Sequence, residues 1–307
     1  MTFIELFSLA FSGLFAGVLA GFLGIGGGTV LVPLLVTLGY EPIQAVATSS
    51  LSIIITATSG SFQNWKMGYL SISRVLGIGF PALITAQLGV YFANLFPSRW
   101  LLFAFGLFLA LNIYLVEFRK QITMKKKQDE ELQNNQQENL QVKVENTNHQ
   151  DFVVEFILPF TPHPLPLMFE KIVKEINYKF PDKYMKVIAR VITGSLAGLL
   201  AGVFGVGGGV IMVPLQILLL GESIKVAIQT SLGVIVITAF SACIGHAIRG
   251  NVLWEPGVLL GFGGLLGVQF STRFLPKLPD KIISLAFRGL LAILSIYIFG
   301  QAIINNE

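Results

Sequence analysis

Long runs of apolar residues, nearly free of charge, recur along the whole chain. Most of them are long enough to cross a hydrocarbon core about 30 Å thick as helices. The two-residue alternation of a membrane barrel is missing, and only helices or closed barrels satisfy their backbone amides in lipid. The pattern predicts an all-α, polytopic membrane protein with about eight transmembrane spans. The predicted spans are Leu6–Leu23, Ile43–Phe62, Val75–Phe96, Leu101–Val116, Val191–Phe204, Ala227–Gly245, Val258–Phe270 and Ile282–Ile304.

The composition agrees with a membrane protein rather than a soluble one. Hydrophobic residues make up 53% of the 307 residues and charged residues 12%, against about 25% charged residues in soluble domains. The net charge of +4 is too small to indicate a nucleic-acid partner. Met1–Phe7 contains only Glu5 as a charge, so the first run is predicted to be a retained span rather than a signal peptide. The lipid bilayer is the predicted environment, and the oligomeric state is left open.

The two halves of the chain resemble each other in sequence. The alignment begins at an offset of 181 residues and continues at an offset of 182 after one inserted residue. It predicts a duplicated membrane protein, with repeats at residues 1–118 and 191–307. The matched segments are Gly17–Gly28 with Gly198–Gly209, Ser49-Ser50-Leu51 with Thr230-Ser231-Leu232, Asn64 with His246, and Gln87 with Gln269.

A charged linker at residues 119–190 separates the predicted repeats. It holds 12 of the 21 basic residues and 10 of the 17 acidic residues. The basic residues near span ends are Arg119, Lys120, Lys125–Lys127, Lys183, Lys186 and Arg190. By the positive-inside rule this segment faces the cytoplasm. Met124–Gln150 has the polar composition of a disordered segment, and Leu167–Tyr178 has the pattern of an amphipathic surface helix. A tethering role and a regulatory or partner-binding role both agree with this composition.

Each predicted repeat has one hydrophobic segment that glycines interrupt, at Gly24–Gly28 and at Gly205–Gly209. Glycine adopts backbone angles that other residues avoid, so we expect each helix to break there. The chain would restart as a short helix over Thr29–Leu38 in the first repeat and Val210–Leu220 in the second. The N-terminus of such a helix exposes unpaired amide donors and the positive end of the helix dipole, which favour an anion. Interrupted helices at matching positions mark the substrate site of many secondary transporters.

The predicted substrate-binding residues are the glycines of both breaks and the polar side chains near them. The hydroxyl groups either bind the anion or satisfy a carbonyl one turn back, and the two glutamines either line the pathway or join helices. The candidates are Gly24, Gly26, Gly27, Gly28, Thr29, Ser49, Ser50, Gln87, Gly205, Gly207, Gly208, Gly209, Thr230, Ser231 and Gln269. Close helix packing is predicted instead for Gly17, Gly21, Gly198 and Gly202, which have small-xxx-small spacing.

The sequence has no constellation of catalytic residues, so we predict that the chain is not an enzyme and needs no cofactor. Of the three histidines, His149 and His163 lie in the linker, so the sequence predicts no metal site. The third, His246, is either a proton-coupling residue or a residue at the membrane interface. Cys243, the only cysteine, is predicted to pack in the core.

Several motifs recur in both halves in the same order. They are Gly21–Gly28 with Val32-Pro33, matched by Gly202–Gly209 with Val213-Pro214, and Ala47–Ser50, matched by Gln229–Leu232. The second half also has His246 with Gly250-Asn251-Val252, where the first half has Asn64 in place of the histidine. In these motifs the chain resembles the sulfite exporter family known as TauE/SafE. The resemblance covers both predicted repeats and excludes the linker. It implies a permease with around eight spans that exports sulfite, sulfonates or related small anions.

These observations predict a secondary transporter of a small sulfur-containing anion, in the plasma membrane, that works by alternating access between the repeats. A passive anion channel is one alternative, and a membrane scaffold or sensor acting through the linker is another. The direction of the two repeats is also open. Re-entrant short helices predict parallel halves, whereas short helices that complete a crossing predict inverted halves.

Overall fold

Helices account for the regular structure of the residues that the computed structural model describes, which are 3–97, 100–112 and 182–304. In the first half these helices are α1 (Phe3–Leu23), α2 (Gly28–Thr37), α3 (Pro42–Lys66), α4 (Ile72–Leu95) and α5 (Trp100–Asn112). In the second half they are α6 (Asp182–Phe204), α7 (Gly209–Leu220), α8 (Ile224–Ile248), α9 (Trp254–Phe274) and α10 (Asp280–Ile304). A single 3-10 turn, Leu275–Lys277, follows α9. The predicted all-α fold is confirmed.

Seven helices in the described part of the chain are long and apolar enough to span a membrane. The shorter apolar helices are α2, α5 and α7. Helix α5 covers most of the predicted span Leu101–Val116, whose last residues lie outside the described ranges. The chain is therefore a polytopic membrane protein, as its apolar runs predict.

Glycines let α1 approach α9, and α6 approach α4, at very short distances. A methyl group added to Gly17 or Gly21 would collide with α9, and one added to Gly198 or Gly202 would collide with α4. The close packing predicted for these four residues is confirmed. Because each contact joins a helix of one half to a helix of the other, the two halves are interlocked.

Contacts between helices also show in which direction each one runs. Successive residues along α1 meet successive residues along α9, so these two helices are parallel, and the same holds for α9 with α3, α6 with α4, and α4 with α8. In contrast, α3 and α8 are antiparallel, because Ile53 packs with Ile235, whereas Gly60, further along α3, lies against Leu232, earlier on α8. The successive contacts of α1 are Gly13 with Leu260, Gly17 with Gly264, and Gly21 with Val268 and Ser271. Helices at matching places in the two halves, such as α1 and α6, therefore run in opposite directions.

The two halves therefore have inverted directions in the membrane. This holds even though α2 is re-entrant and returns the chain to the face from which α1 started. Since α3 runs parallel to α1, the connection through α2 returns to the face at which α1 begins. The expectation that re-entrant short helices imply parallel halves is wrong. After α2, three helices (α3, α4 and α5) follow in the first half, and α6 then begins on the membrane face opposite to the start of α1. The same element order recurs in each half, while its origin in a duplication stays a prediction.

Most of the linker predictions concern residues outside the described part of the chain. This applies to the disorder predicted for Met124–Gln150 and to the surface helix predicted for Leu167–Tyr178. Helix α6 begins at Asp182, so the end of the predicted linker, up to Arg190, is continuous with a membrane helix.

Candidate functional site

Both hydrophobic segments break at the predicted glycines. Three glycines in each break have positive φ angles, which range from 68° to 82° in the first break and from 64° to 80° in the second. They are Gly24, Gly26 and Gly27, and Gly205, Gly207 and Gly208. Residues with side chains rarely adopt such angles. Helices α2 and α7 start directly afterwards, so the two predicted short helices are confirmed.

The start of each short helix packs against the break of the other half. Gly28 of α2 lies directly against the carbonyl oxygen of Gly205, and Gly209 of α7 lies directly against that of Gly24. We call the two breaks together, Gly24–Gly28 and Gly205–Gly209, the glycine cradle. Its residues are buried. The N-termini of two helices therefore meet inside the protein, which is the arrangement that the matching breaks predicted.

Two serines tie the glycine cradle to the antiparallel helices. Ser49 on α3 donates a hydrogen bond of 2.7 Å to the carbonyl oxygen of Gly205, and Ser231 on α8 donates one of 2.8 Å to that of Gly24. Each hydroxyl also reaches a carbonyl one turn back in its own helix. A hydroxyl has a single proton to donate. In this conformation both protons are therefore directed at carbonyl oxygens.

These hydrogen bonds change the alignment of the two halves. Ser49 is equivalent to Ser231, at the offset of 182, whereas the sequence alignment pairs Ser49 with Thr230. The inserted residue belongs earlier, since α8 starts 15 residues after α7 (224 − 209), whereas α3 starts 14 residues after α2 (42 − 28). Thr230 is buried, and Ser50 donates a 3.0 Å hydrogen bond to Val46 in its own helix.

Thr29 carries a hydroxyl group with no hydrogen-bond partner at the start of α2. Its side chain is completely buried. Leaving a buried hydroxyl unpaired costs about 1–3 kcal/mol, and such groups usually meet water or a ligand. The matching residue of α7 is Val210, so only one half presents this donor. Among the hydroxyl groups of the predicted site residues, that of Thr29 is the one that is both buried and without a hydrogen-bond partner in the described part of the chain.

The two predicted glutamines bind serines on a long helix of the other half. Gln87 on α4 donates a 2.6 Å hydrogen bond to the carbonyl oxygen of Ser241 on α8, and its Nε2 lies 3.0 Å from the hydroxyl. Gln269 on α9 donates a 3.1 Å hydrogen bond to the hydroxyl of Ser59 on α3. The two glutamines were expected either to line the substrate pathway or to join helices. The observed hydrogen bonds join α4 to α8 and α9 to α3.

His246 lies in the last turn of α8 and is enclosed by neighbouring helices. Its ring is completely buried, and Nε2 is 3.1 Å from the carbonyl oxygen of Gly202 in the last turn of α6. Nδ1 has no hydrogen-bond partner. Asn64, at the matching position on α3, is equally buried, and neither atom of its amide is paired. The roles of His246 in proton coupling and at the membrane interface both stay predictions.

Ile53 and Ile235 lie against both breaks and were not among the predicted site residues. A methyl group added to Gly26 or Gly207 would contact both isoleucines. A signal for them exists in the sequence, because each half has an isoleucine four residues after the serine that binds the cradle. The signal becomes visible only when the offset of 182 is applied from Ser49 onward.

Comparison with known proteins identifies the family. The sequence profile described as Sulfite exporter TauE/SafE matches residues 9–298. This chain belongs to the TauE/SafE sulfite exporter family. It is 25% identical over 316 aligned positions to the probable membrane transporter protein YunE of Bacillus subtilis, an alignment that covers 99% of this chain and 100% of YunE. No solved structure is significantly similar to the chain.

Two further relatives have similar names. The chain is 22% identical to the probable membrane transporter protein YdhB of Bacillus subtilis, over 88% of this chain and 90% of YdhB. A shorter match, 32% identical over 79 residues, joins it to the sulfite exporter TauE/SafE family protein 6 of Arabidopsis thaliana and covers 26% of this chain and 18% of that protein. The resemblance found in the glycine motifs is confirmed, and the chain is a multi-pass member of a membrane transporter family.

Proposed function

We propose that the chain is a secondary transporter of a small sulfur-containing anion, such as sulfite or a sulfonate. The observation that carries the proposal is the glycine cradle, in which the N-termini of α2 and α7 meet in the interior of the helix bundle. The first amides of a helix have no partner within it and carry partial positive charge. They favour an anion without a buried lysine or arginine. The substrate class follows the name of the family, sulfite exporter.

In this proposal the amides of Gly26–Gly28 and Gly207–Gly209 are the backbone donors to the anion. Thr29 adds a side-chain donor, because its hydroxyl is buried and unpaired beside them. Ser49 and Ser231 hold the carbonyl oxygens of the cradle in this conformation and reach the anion only after releasing them. Ser50 and Thr230, their buried neighbours, are the remaining candidate donors.

Alternating access is supported by the inverted halves. When two halves have opposite directions, exchanging their conformations exchanges the face of the membrane to which the site is open. Helices α3 and α8 cross antiparallel beside the cradle, and a tilt of one against the other would open it. Gln87 links α4 to α8, and Gln269 links α9 to α3, so each crossing helix would move together with a partner.

The proposal also covers the residue that couples transport to protons and the side of the membrane on which the linker lies. His246 is the candidate for a coupling proton, because Nδ1 of its buried ring has no hydrogen-bond partner. The basic residues of the linker at 119–190 favour a cytoplasmic location for it in a plasma membrane.

The test is uptake of radiolabelled sulfite into proteoliposomes with an imposed pH gradient and with sulfate, thiosulfate and sulfonates as competitors. Saturable uptake that the gradient stimulates is expected. Thr29→Val should weaken apparent sulfite affinity about ten- to hundredfold, because a hydrogen bond to a charged group contributes about 1.5–3 kcal/mol. Thr193→Val is the matched control, since the hydroxyl of Thr193 is equally buried and unpaired. It lies on α6, about 18 Å along the helix from Gly205.

Other outcomes contradict the proposal in different ways. Uptake no greater than in empty liposomes, with folded protein, would remove sulfite as the substrate. Equal effects of Thr29→Val and Thr193→Val would remove Thr29 from the site. Conductance far above carrier rates would indicate a channel, and loss of function on deleting Met124–Gln150 would indicate a scaffold or sensor. A gradient-dependent component that persists in His246→Asn would exclude His246 as the proton carrier.

A further inference from the structure

Two isoleucines cover the glycine cradle from the side of the long helices. A methyl group added to Gly26 would lie 3.1 Å from Cγ2 of Ile235 and 3.4 Å from Cγ2 of Ile53. One added to Gly207 would lie 2.9 Å and 3.4 Å from the same two atoms. Both isoleucines are completely buried. Each of them therefore contacts both breaks at once.

Each isoleucine also covers the start of one short helix. A methyl group added to Gly28 would lie 2.6 Å from Cδ1 of Ile53, and one added to Gly209 would lie 2.8 Å from Cδ1 of Ile235. The first amides of α2 and α7 are the groups that an anion would need to reach. On this side of the cradle, apolar methyl groups occupy the approach to them.

The two isoleucines pack together where α3 and α8 cross. They form one buried cluster with Ala57 and Ala239, which lie one turn further along the same helices. Isoleucine is branched at Cβ and has one strongly preferred χ1 rotamer in a helix. Uncovering the cradle therefore requires a shift of α3 against α8 rather than a rotation of either side chain.

We propose that Ile53 and Ile235 form a single hydrophobic gate, shared by both halves, that closes the glycine cradle and limits the size of the anion that passes. This inference rests on the proposed role of the cradle as the substrate site. Because both side chains contact both breaks, one shift of α3 against α8 uncovers the whole cradle. An apolar constriction excludes hydrated ions, since an ion that enters it loses its water. The gate would therefore prevent leakage between transport events.

Accessibility of the cradle tests the gate without reference to any substrate. In a Cys243→Ser background, Thr29→Cys places a thiol beside the cradle, and a small methanethiosulfonate reagent reports its exposure. We expect the double variant Ile53→Ala, Ile235→Ala to raise the labelling rate about tenfold, because removing both side chains removes packing that holds the closed conformation. Ile78→Ala is the matched control, since Ile78 is a buried isoleucine on α4. Equal labelling rates in the double variant and the control overturn the gate.

Size selection is measured separately, as the uptake of sulfite, methanesulfonate, ethanesulfonate and benzenesulfonate. The double alanine variant should accept larger sulfonates than the wild-type chain does, and Ile53→Phe with Ile235→Phe should lower uptake of all four. An unchanged size limit, with normal wild-type sulfite uptake, overturns the gate as a size filter. Labelling of the thiol at position 29, together with no uptake of any anion by the wild-type chain, overturns the proposed function instead, and with it the role in size selection.

Discussion

The glycine cradle depends, residue by residue, on backbone angles that glycine alone adopts without strain. Gly27 and Gly208 begin α2 and α7 with φ angles of 82° and 80°. A side chain in this left-handed region costs about 1–2 kcal/mol. The space beside the two glycines differs. A methyl group on Gly27 would lie 3.2 Å from the carbonyl oxygen of Ala16, whereas one on Gly208 would collide with that of Ala197.

We expect both Gly27→Ala and Gly208→Ala to lower stability, and Gly208→Ala to lower it more. Backbone strain acts in both variants, and the collision with Ala197 is added only in Gly208→Ala. Thermal unfolding of the purified variants in detergent measures the difference. Equal melting temperatures for the two variants would contradict this account. Since alanine here strains the fold, Thr29→Val is the cleaner test of anion binding.

The serine hydrogen bonds lead to a second prediction at this scale. Ser49→Ala and Ser231→Ala should each destabilise the fold by about 1–3 kcal/mol, because each leaves a buried carbonyl oxygen of the cradle unpaired. Ser50→Ala is the control, since Ser50 binds a carbonyl of its own helix. Unfolding in detergent should show a smaller loss for Ser50→Ala. A loss as large as that of Ser49→Ala would mean that the bonds to the cradle add nothing.

At the scale of helices, the bundle is held by glycine faces that bring backbones together. A methyl group on Gly198 would collide with the carbonyl oxygen of Ala82, which makes the contact of α6 with α4 intolerant of any side chain. Gly289 on α10 has no heavy atom within 4 Å of such a methyl group. An alanine substitution at Gly198 therefore tests close helix packing, whereas the same substitution at Gly289 tests only the general preference of helices for alanine over glycine.

Gly198→Ala is expected to destabilise the bundle by about 1–3 kcal/mol, the usual cost of overpacking. Gly289→Ala should leave the melting temperature unchanged or slightly higher, because alanine favours the helix and meets nothing there. Both variants are compared with the wild-type chain by thermal unfolding in detergent. Similar melting temperatures for the two variants would show that α6 and α4 do not need their close approach.

For the whole molecule, the opposite directions of the two halves determine on which face of the membrane each turn between helices lies. The turn after α3 and the turn after α8 are equivalent in the two halves, yet α3 and α8 are antiparallel. Lys66 and Arg249, both exposed, mark the ends of these helices. Ion pairs join helices that start on the face of Lys66, with distances of 3.3 Å from Arg74 to Glu222 and 3.7 Å from Lys225 to Asp280.

Single cysteines can locate these two turns. In a Cys243→Ser background, Lys66→Cys and Arg249→Cys should react with a membrane-impermeant maleimide from opposite sides of the membrane. The expected result follows from the antiparallel crossing of α3 and α8. The measurement compares labelling in intact cells with labelling in inverted vesicles. Reaction of both cysteines from the same side would mean that the halves are parallel.

Local features of the sequence were enough to predict the helices and their breaks. Apolar runs of membrane-spanning length have few alternatives to a helix in lipid. Adjacent glycines at Gly26–Gly28 and Gly207–Gly209 weaken a helix wherever they occur, so the short helices could be placed to within two residues of their bounds. The packing of Gly17 and Gly198 was likewise visible in their spacing. The family followed from the same glycine motifs.

What only the tertiary structure decided depends on contacts between residues far apart in the chain. The partners of Ser49 and Ser231, the cover formed by Ile53 and Ile235, and the burial of His246 all arise where one half meets the other. The inverted direction of the halves belongs to the same group, because charges near the chain termini are too few to choose between parallel and inverted halves. Hydrophobicity in lipid determines that a segment is a helix, whereas the choice of its neighbours requires side chains to fit together, and that fit is not encoded in any single segment.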